Sequence, residues 1–216
     1  RIEGDCHPRF ERIRDALAAN FEQHSEIGTA VCVYHEGHKV VDLWAGHMDA
    51  TRTRPWQADT LCLMYSIAKS MSALAIHILA DEGQLDLEAP VTQYWPEFGQ
   101  NGKDKLRVRD IISHNDGVFA TDGAEPGDVY DFDRMVKIIA AQTPEKPAGK
   151  SGGYDTVNIG FKAGEIVRRV TGRPIQDFIH ERICRPLGAS YYLGVPEAKL
   201  SLCADLTPNA DKPARP

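Results

Sequence analysis

The chain has 216 residues, 42% of them hydrophobic and 26% charged, with a net charge of -6. A chain of this length buries roughly 70% of its unfolded surface, so one or two globular domains can form without a disulfide or metal staple. The acidic balance supplies no basic field for nucleic acid or an anionic membrane. The longest apolar stretch, residues 72–80, is broken by His77 and is too short to span a bilayer. Cys6, Cys32, Cys62, Cys184 and Cys203 are scattered without metal or redox spacing, which fits free thiols in a reducing, cytoplasmic compartment.

In chain order, Phe10, Ile13, Leu17 and Phe21 recur at helical spacing and predict an amphipathic helix. Residues 30–34 are β-prone, Glu36-Gly37 is a turn signal, and residues 40–44 are apolar again, which predicts a hairpin. Residues 51–55 read as loop. A helix is expected from Tyr65 to about residue 80, with Ile67, Met71, Leu74 and Ile78 as its apolar stripe. Ile76 and Leu79 make other faces apolar too, and a helix apolar almost all round is normally buried. Gly83 suits its left-handed end. Residues 84–102, with Pro90 and Pro96, read mostly as loop, and residues 106–113 as a short helix. Residues 116–128 are loop, and residues 131–141 are helical. The punctuated segment 144–153 precedes two helical patterns separated by Gly172 and Pro174. A two-stranded hairpin alone is marginally stable. A further polypeptide segment or companion chain is therefore expected to complete the sheet.

The strongest chemical constellation is Ser66-Ile67-Ala68-Lys69. Residues three apart share a helix face, so the Ser66 hydroxyl and the Lys69 amine can meet. Ser66 in the first turn would feel the positive helix end, which favours an alkoxide. Lys69 is the only formally charged residue between residues 64 and 80. Burial would disfavour its charged form and leave a base beside a nucleophile. A chance spacing, with Lys69 snorkelling to the surface, is the competing reading. Tyr154 follows the run Gly149-Lys150-Ser151-Gly152-Gly153, whose glycines let a backbone approach a ligand closely. A phenol near Lys69 could relay protons, although a tyrosine after glycines is also an ordinary packing residue.

Other signals lead elsewhere. Gly149-Lys150-Ser151 mimics the end of a phosphate-binding loop, but Pro144 stands where that loop needs glycine. His35 and His38 flank a turn without further ligands nearby. His114 and Asp116 could suggest a serine triad, but there is no G-x-S-x-G elbow, so His114 is read as a local cap or as bracing its loop. Lys103, Asp104, Lys105, Arg107, Arg109 and Asp110 alternate in sign and read as a solvated face.

These motifs resemble those of the serine β-lactamase-related family, which includes class C β-lactamases, D-alanyl-D-alanine carboxypeptidases and family VIII carboxylesterases. The matching stretches are Tyr65-Ser66-Ile67-Ala68-Lys69-Ser70, residues 81–87 (DEGQLDL), residues 91–98 (VTQYWPEF), residues 112–117 (ISHNDG), residues 164–172 (GEIVRRVTG) and Pro186-Leu187-Gly188. They follow the family's order over nearly the whole chain. The hairpin and Val41-Asp42-Leu43-Trp44 point toward the carboxylesterase branch.

The resemblance implies an α/β (α+β) fold of the β-lactamase/transpeptidase type, an antiparallel sheet flanked by helices plus a mainly helical lobe. Residues 1–60 would begin the α/β lobe and residues 61–216 would form the helical lobe, the C-terminal strands lying outside this chain. Ser66 would be the acylated nucleophile, Lys69 its partner base and Tyr154 the tyrosine of a Tyr-x-Asn motif. Here that motif reads Tyr154-Asp155-Thr156, so Thr156 would stand at the substrate-binding position. The family's third motif, Lys-Thr-Gly or a variant, does not follow Tyr154 at a suitable place. The implied activity is hydrolysis of a small carboxylic ester through an acyl-enzyme, with no cofactor and no metal. The alternatives are a β-lactam or D-amino-peptide hydrolase, or a penicillin-binding-type sensor that does not turn over.

Overall fold

The computed structural model describes residues 1–147, 149–150 and 152–207. The chain divides into two compact units, one built from Arg1–Leu63 and the segment from Val195 onward, the other from Met64–Gly194.

The first unit holds an antiparallel sheet of β1 (Ile2–Cys6), β2 (Gly28–His35) and β3 (His38–Gly46), in the order β1-β3-β2. The expected hairpin is β2–β3. Glu36 and Gly37 both take positive φ, 49° and 78°, the left-handed pair that a two-residue turn between twisted strands requires. Along β3, Val41, Leu43 and Ala45 alternate into the buried face. Helix α1 (Glu11–Gln23) lays Leu17 on Val41 and Leu43, with Phe10, Ile13 and Phe21 packed around them as their spacing predicts.

The third strand departs from the two-stranded expectation. β1 pairs with β3 from Ile2↔Ala45 to Cys6↔Val41. An edge strand is held by main-chain bonds to its neighbour and needs little apolar content, so the polar string Ile2-Glu3-Gly4-Asp5-Cys6 carries no periodic signal. Residues near the end of the described chain return to this unit. The Leu61 N–H donates to the Leu202 carbonyl (2.8 Å), the Ala204 N–H donates to the Leu61 carbonyl (2.8 Å), and Arg54 pairs with Asp205 (2.8 Å).

The second unit is helical: α2 (Ile67–Asp81), α3 (Val108–Ile112), α4 (Phe132–Ala141), α5 (Asn158–Thr171) and α6 (Ile175–Ile179). α6 runs on through a π-helical turn, His180–Cys184, into a last short turn, Arg185–Leu187. Asp131 caps α4 by accepting the Arg134 N–H (2.9 Å), and Gly172 ends α5 in the left-handed conformation. The stretch that reads as loop supplies two of the largest fully buried side chains, Trp95, between the 3₁₀ turns Val91–Gln93 and Pro96–Gly99, and Phe98, on the second of them. They pack with Ile76, Leu79, Ile111, Met135, Ile139 and Ile166.

Two expectations are corrected here. Helix α2 buries Ser72, Ala75, Ile76 and Leu79, while Ile67 and Leu74 of the predicted stripe are exposed. Two apolar stripes overlap on this helix, and the one with small residues admits the close approach of α5. The alternating charges are not uniformly solvated either. Lys103 is fully buried, its ammonium donating to the Gln142 carbonyl over the Phe98 ring, and buried Asp110 accepts the Arg107 N–H (2.9 Å). Its long stem lets a lysine in an alternating run turn inward.

The two α2 stripes differ measurably. Ile76→Ala should cost about 2–5 kcal/mol in denaturant unfolding and Leu74→Ala less than about 1 kcal/mol, in the order of their burial. The reverse order would put the wrong face inward.

Candidate active site

Ser66 stands at the N-cap of α2 without using its hydroxyl as a cap. The preceding Tyr65 has φ 45°, an uncommon left-handed conformation for a large side chain. The first turn is then drawn tight by bonds to the third residue back: the Ile67, Ala68 and Lys69 N–H groups donate to the carbonyls of Met64, Tyr65 and Ser66, each at 3.1 Å. This entry leaves the Ser66 side chain exposed at the N-terminal, positive end of the helix.

Lys69, one turn on, donates to Ser66 Oγ (3.1 Å) and to the Thr156 carbonyl (3.0 Å). It is half-buried rather than enclosed, because the inward stripe of α2 runs through Ser72 and Ala75 instead. Its ammonium lies 5.1 Å from the centroid of the Tyr154 ring. The Tyr154 hydroxyl donates to the same Ser66 Oγ at 2.7 Å. The bond to Ser66, and then the neighbouring Lys69, hold the phenol below its ordinary pKa. Residues 66, 69 and 154 thus converge on one oxygen. Thr156 reaches this site through its main-chain carbonyl, its side chain being exposed.

Tyr154 is itself exposed, and its position is set by neighbours the sequence did not connect to it. The His114 ring stacks on the phenol with centroids 5.4 Å apart and an interplanar angle of 17°. His114 Nδ1 accepts the Asp155 N–H (3.0 Å), and its carbonyl accepts the Gly153 N–H (3.1 Å). The bracing role expected of His114 is therefore directed at Tyr154. Asp155 Oδ1 caps α5 by accepting the N–H groups of Val157 (3.2 Å) and Asn158 (2.7 Å). Its other oxygen lies 2.7 Å from Lys162 Nζ, which also pairs with Asp116, all three being fully buried.

Within the glycine run, Gly153 serves packing. A Cβ at Gly153 would lie 2.5 Å from the half-buried Phe119 ring, so glycine there admits that aromatic. Ser151 lies outside the described residues. The one sequence signal for the ionic cluster was Lys162 itself, which falls on the apolar stripe of α5 between Ile159 and Ile166.

Because the hydrogen bond shared with Ser66, which Ser66 can donate once the phenol ionises, is the main cause of the lowered phenol value, Ser66→Ala should move the Tyr154 titration upward. Difference spectra of tyrosinate absorbance, with Tyr154→Phe as blank, would detect it. An unchanged titration would show that Ser66 does not govern this phenol.

Residues 13–216 match the family model described as Beta-lactamase. Over 199 residues the chain is 38% identical to the esterase/beta-lactamase LipL of Mycobacterium tuberculosis, covering 92% of this chain and 46% of that protein. It superposes on a family VIII carboxylesterase with a TM-score of 0.92 and 40% identity, over 96% of this chain and 57% of the other. A penicillin-binding protein homolog from Caulobacter crescentus gives a TM-score of 0.92 at 38% identity, over 96% and 56%. The architecture is that of the β-lactamase/transpeptidase-like fold, and the chain spans about half the length of these relatives.

Proposed function

We propose, for a chain that belongs to the beta-lactamase family of serine hydrolases, that it cleaves small carboxylic esters through an acyl-enzyme at Ser66. The observation that carries this reading is the shared acceptor: Tyr154 and Lys69 both hydrogen-bond Ser66 Oγ, at 2.7 and 3.1 Å. A phenol oxygen and an amine that share protons can take one from Ser66 and return it to a leaving group.

In acylation, Ser66 Oγ bonds to the ester carbonyl carbon as its proton passes to the Tyr154–Lys69 pair. Collapse of the tetrahedral intermediate breaks the bond to the alcohol oxygen, which leaves with that proton. In deacylation, water gives a proton to the same pair and attacks the acyl carbon; Ser66 then departs and recovers the proton. The developing oxyanion takes the Ser66 N–H at the open end of α2, where the helix dipole favours negative charge. A second donor, and the strands that would flank it, belong in this proposal to a further polypeptide segment. The ester preference draws support from the carboxylesterase of equal fold and 40% identity. The penicillin-binding protein homolog, at the same TM-score, supports a second reading as a β-lactam or D-amino-peptide hydrolase.

Ser66→Ala should lose fluorophosphonate labelling and slow hydrolysis of a short-chain p-nitrophenyl ester by about 10⁴-fold or more, with native unfolding. Labelling at full stoichiometry in that variant would place the nucleophile elsewhere. Lys69→Arg keeps the charge but removes a group able to give up its proton, so acylation should fall by about 10²–10⁴-fold. Near-native acylation would remove Lys69 from the proton path. In the wild type, a burst followed by steady ester turnover supports the esterase; faster turnover of a chromogenic β-lactam supports the second reading.

A further inference from the structure

Tyr154 faces a positioning problem. The residue is 62% exposed, so core packing does not hold it, yet its hydroxyl must stay within hydrogen-bond reach of an oxygen on another element. The loop that begins at His114 supplies what packing does not. The imidazole covers one face of the phenol, and its Nδ1 holds the N–H of the next residue, Asp155. Ring torsion and main chain are constrained together. His114 takes φ 58°, a left-handed conformation that costs a non-glycine residue strain, and this turn carries its ring against Tyr154.

Both partners are tied again from below. Asp116, two residues after His114, and Asp155, one after Tyr154, share the ammonium of Lys162, which also donates to the Val118 carbonyl (3.0 Å). One buried cation faces two buried carboxylates. Burial drives the Asp116 carboxyl above its ordinary pKa, and Lys162 pulls it back. A buried ionic cluster of this kind is a weak source of stability, since desolvation offsets most of the Coulomb attraction. Its geometric effect is definite: it fixes the distance between the chain at His114 and the chain at Tyr154.

We propose that His114 is a positioning residue that holds the Tyr154 hydroxyl on Ser66, its own loop being locked to Asp155 through Lys162 and Asp116. The inference rests on Tyr154 acting in acylation. As Nδ1 is the acceptor, the neutral imidazole carries its proton on Nε2. A displacement of about 1 Å at a reacting group can cost on the order of 10²-fold in rate, which sets the expected effect.

The test is a double-mutant cycle on the intact protein with a short-chain p-nitrophenyl ester. His114→Ala should lower kcat by about 10²-fold while KM changes by less than about 3-fold. His114→Asn adopts the left-handed backbone readily and offers an oxygen near the place of Nδ1, so it should recover about 10-fold of that loss. It also serves if the alanine variant fails to fold. In a Tyr154→Phe background, His114→Ala should have no further effect on kcat, because its only route to the reaction has been removed. Native kcat in His114→Ala, no recovery in His114→Asn, or a full additional loss in the double variant would each overturn the positioning role. Native turnover in Tyr154→Phe alone would instead overturn the role of Tyr154 and the inference with it.

Discussion

The Ser66 hydroxyl receives hydrogen bonds from two groups that reach it by unrelated routes. Lys69 comes from the next turn of the same helix, and its place follows from helix geometry once α2 forms. Tyr154 comes from 88 residues away and depends on two loops meeting correctly. The first contact is local and robust. The second exists only when the helical unit has closed, so assembly of the site reports on the fold of that unit as a whole.

Helix α5 does most of that closing. Its first turn is capped by Asp155, its buried face carries Lys162, and a turn later it buries Glu165. The Glu165 carboxylate is held by Arg168 and Arg169 of the same helix, each at 2.6 Å. The guanidiniums reach on to Asp133 (2.6 Å) and Glu97 (3.2 Å), which ties α5 to α4 and to the 3₁₀ turn that carries Phe98. A helix that packs charges inward gains less stability per residue than an apolar one. In exchange each charge has few acceptable partners, and the loops that provide them are held in one arrangement.

The same logic separates the two ends of the candidate site. At Ser66 the backbone itself does the positioning, through the left-handed Tyr65 and a tight first turn. At Tyr154 the backbone is a loop, and side chains take over: a ring stack, a shared N–H and a buried ammonium. Exposed aromatic rings gain little from burial, so such directional contacts decide where the hydroxyl lies.

The spacing Ser66-x-x-Lys69 determined one face of the site from sequence alone, because a helical period converts three residues of separation into proximity. Helical repeats likewise determined α1 and α5 closely, and the Glu36-Gly37 signal determined the turn between β2 and β3. Pairing of β1 with β3 was not legible, since main-chain bonds hold an edge strand whatever its side chains. Neither was the inward face of α2, where two apolar stripes compete and the approach of α5 and α6 chooses between them. His114 and Asp116 drew notice only as a triad that has no elbow, and Lys162 is marked only by its place on an apolar stripe; each took its meaning from a partner on another segment, 46 residues apart for Asp116 and Lys162. Contacts fixed by the period of one element can be read along the chain, whereas contacts between elements become determinate only when burial leaves a polar group a single place to go.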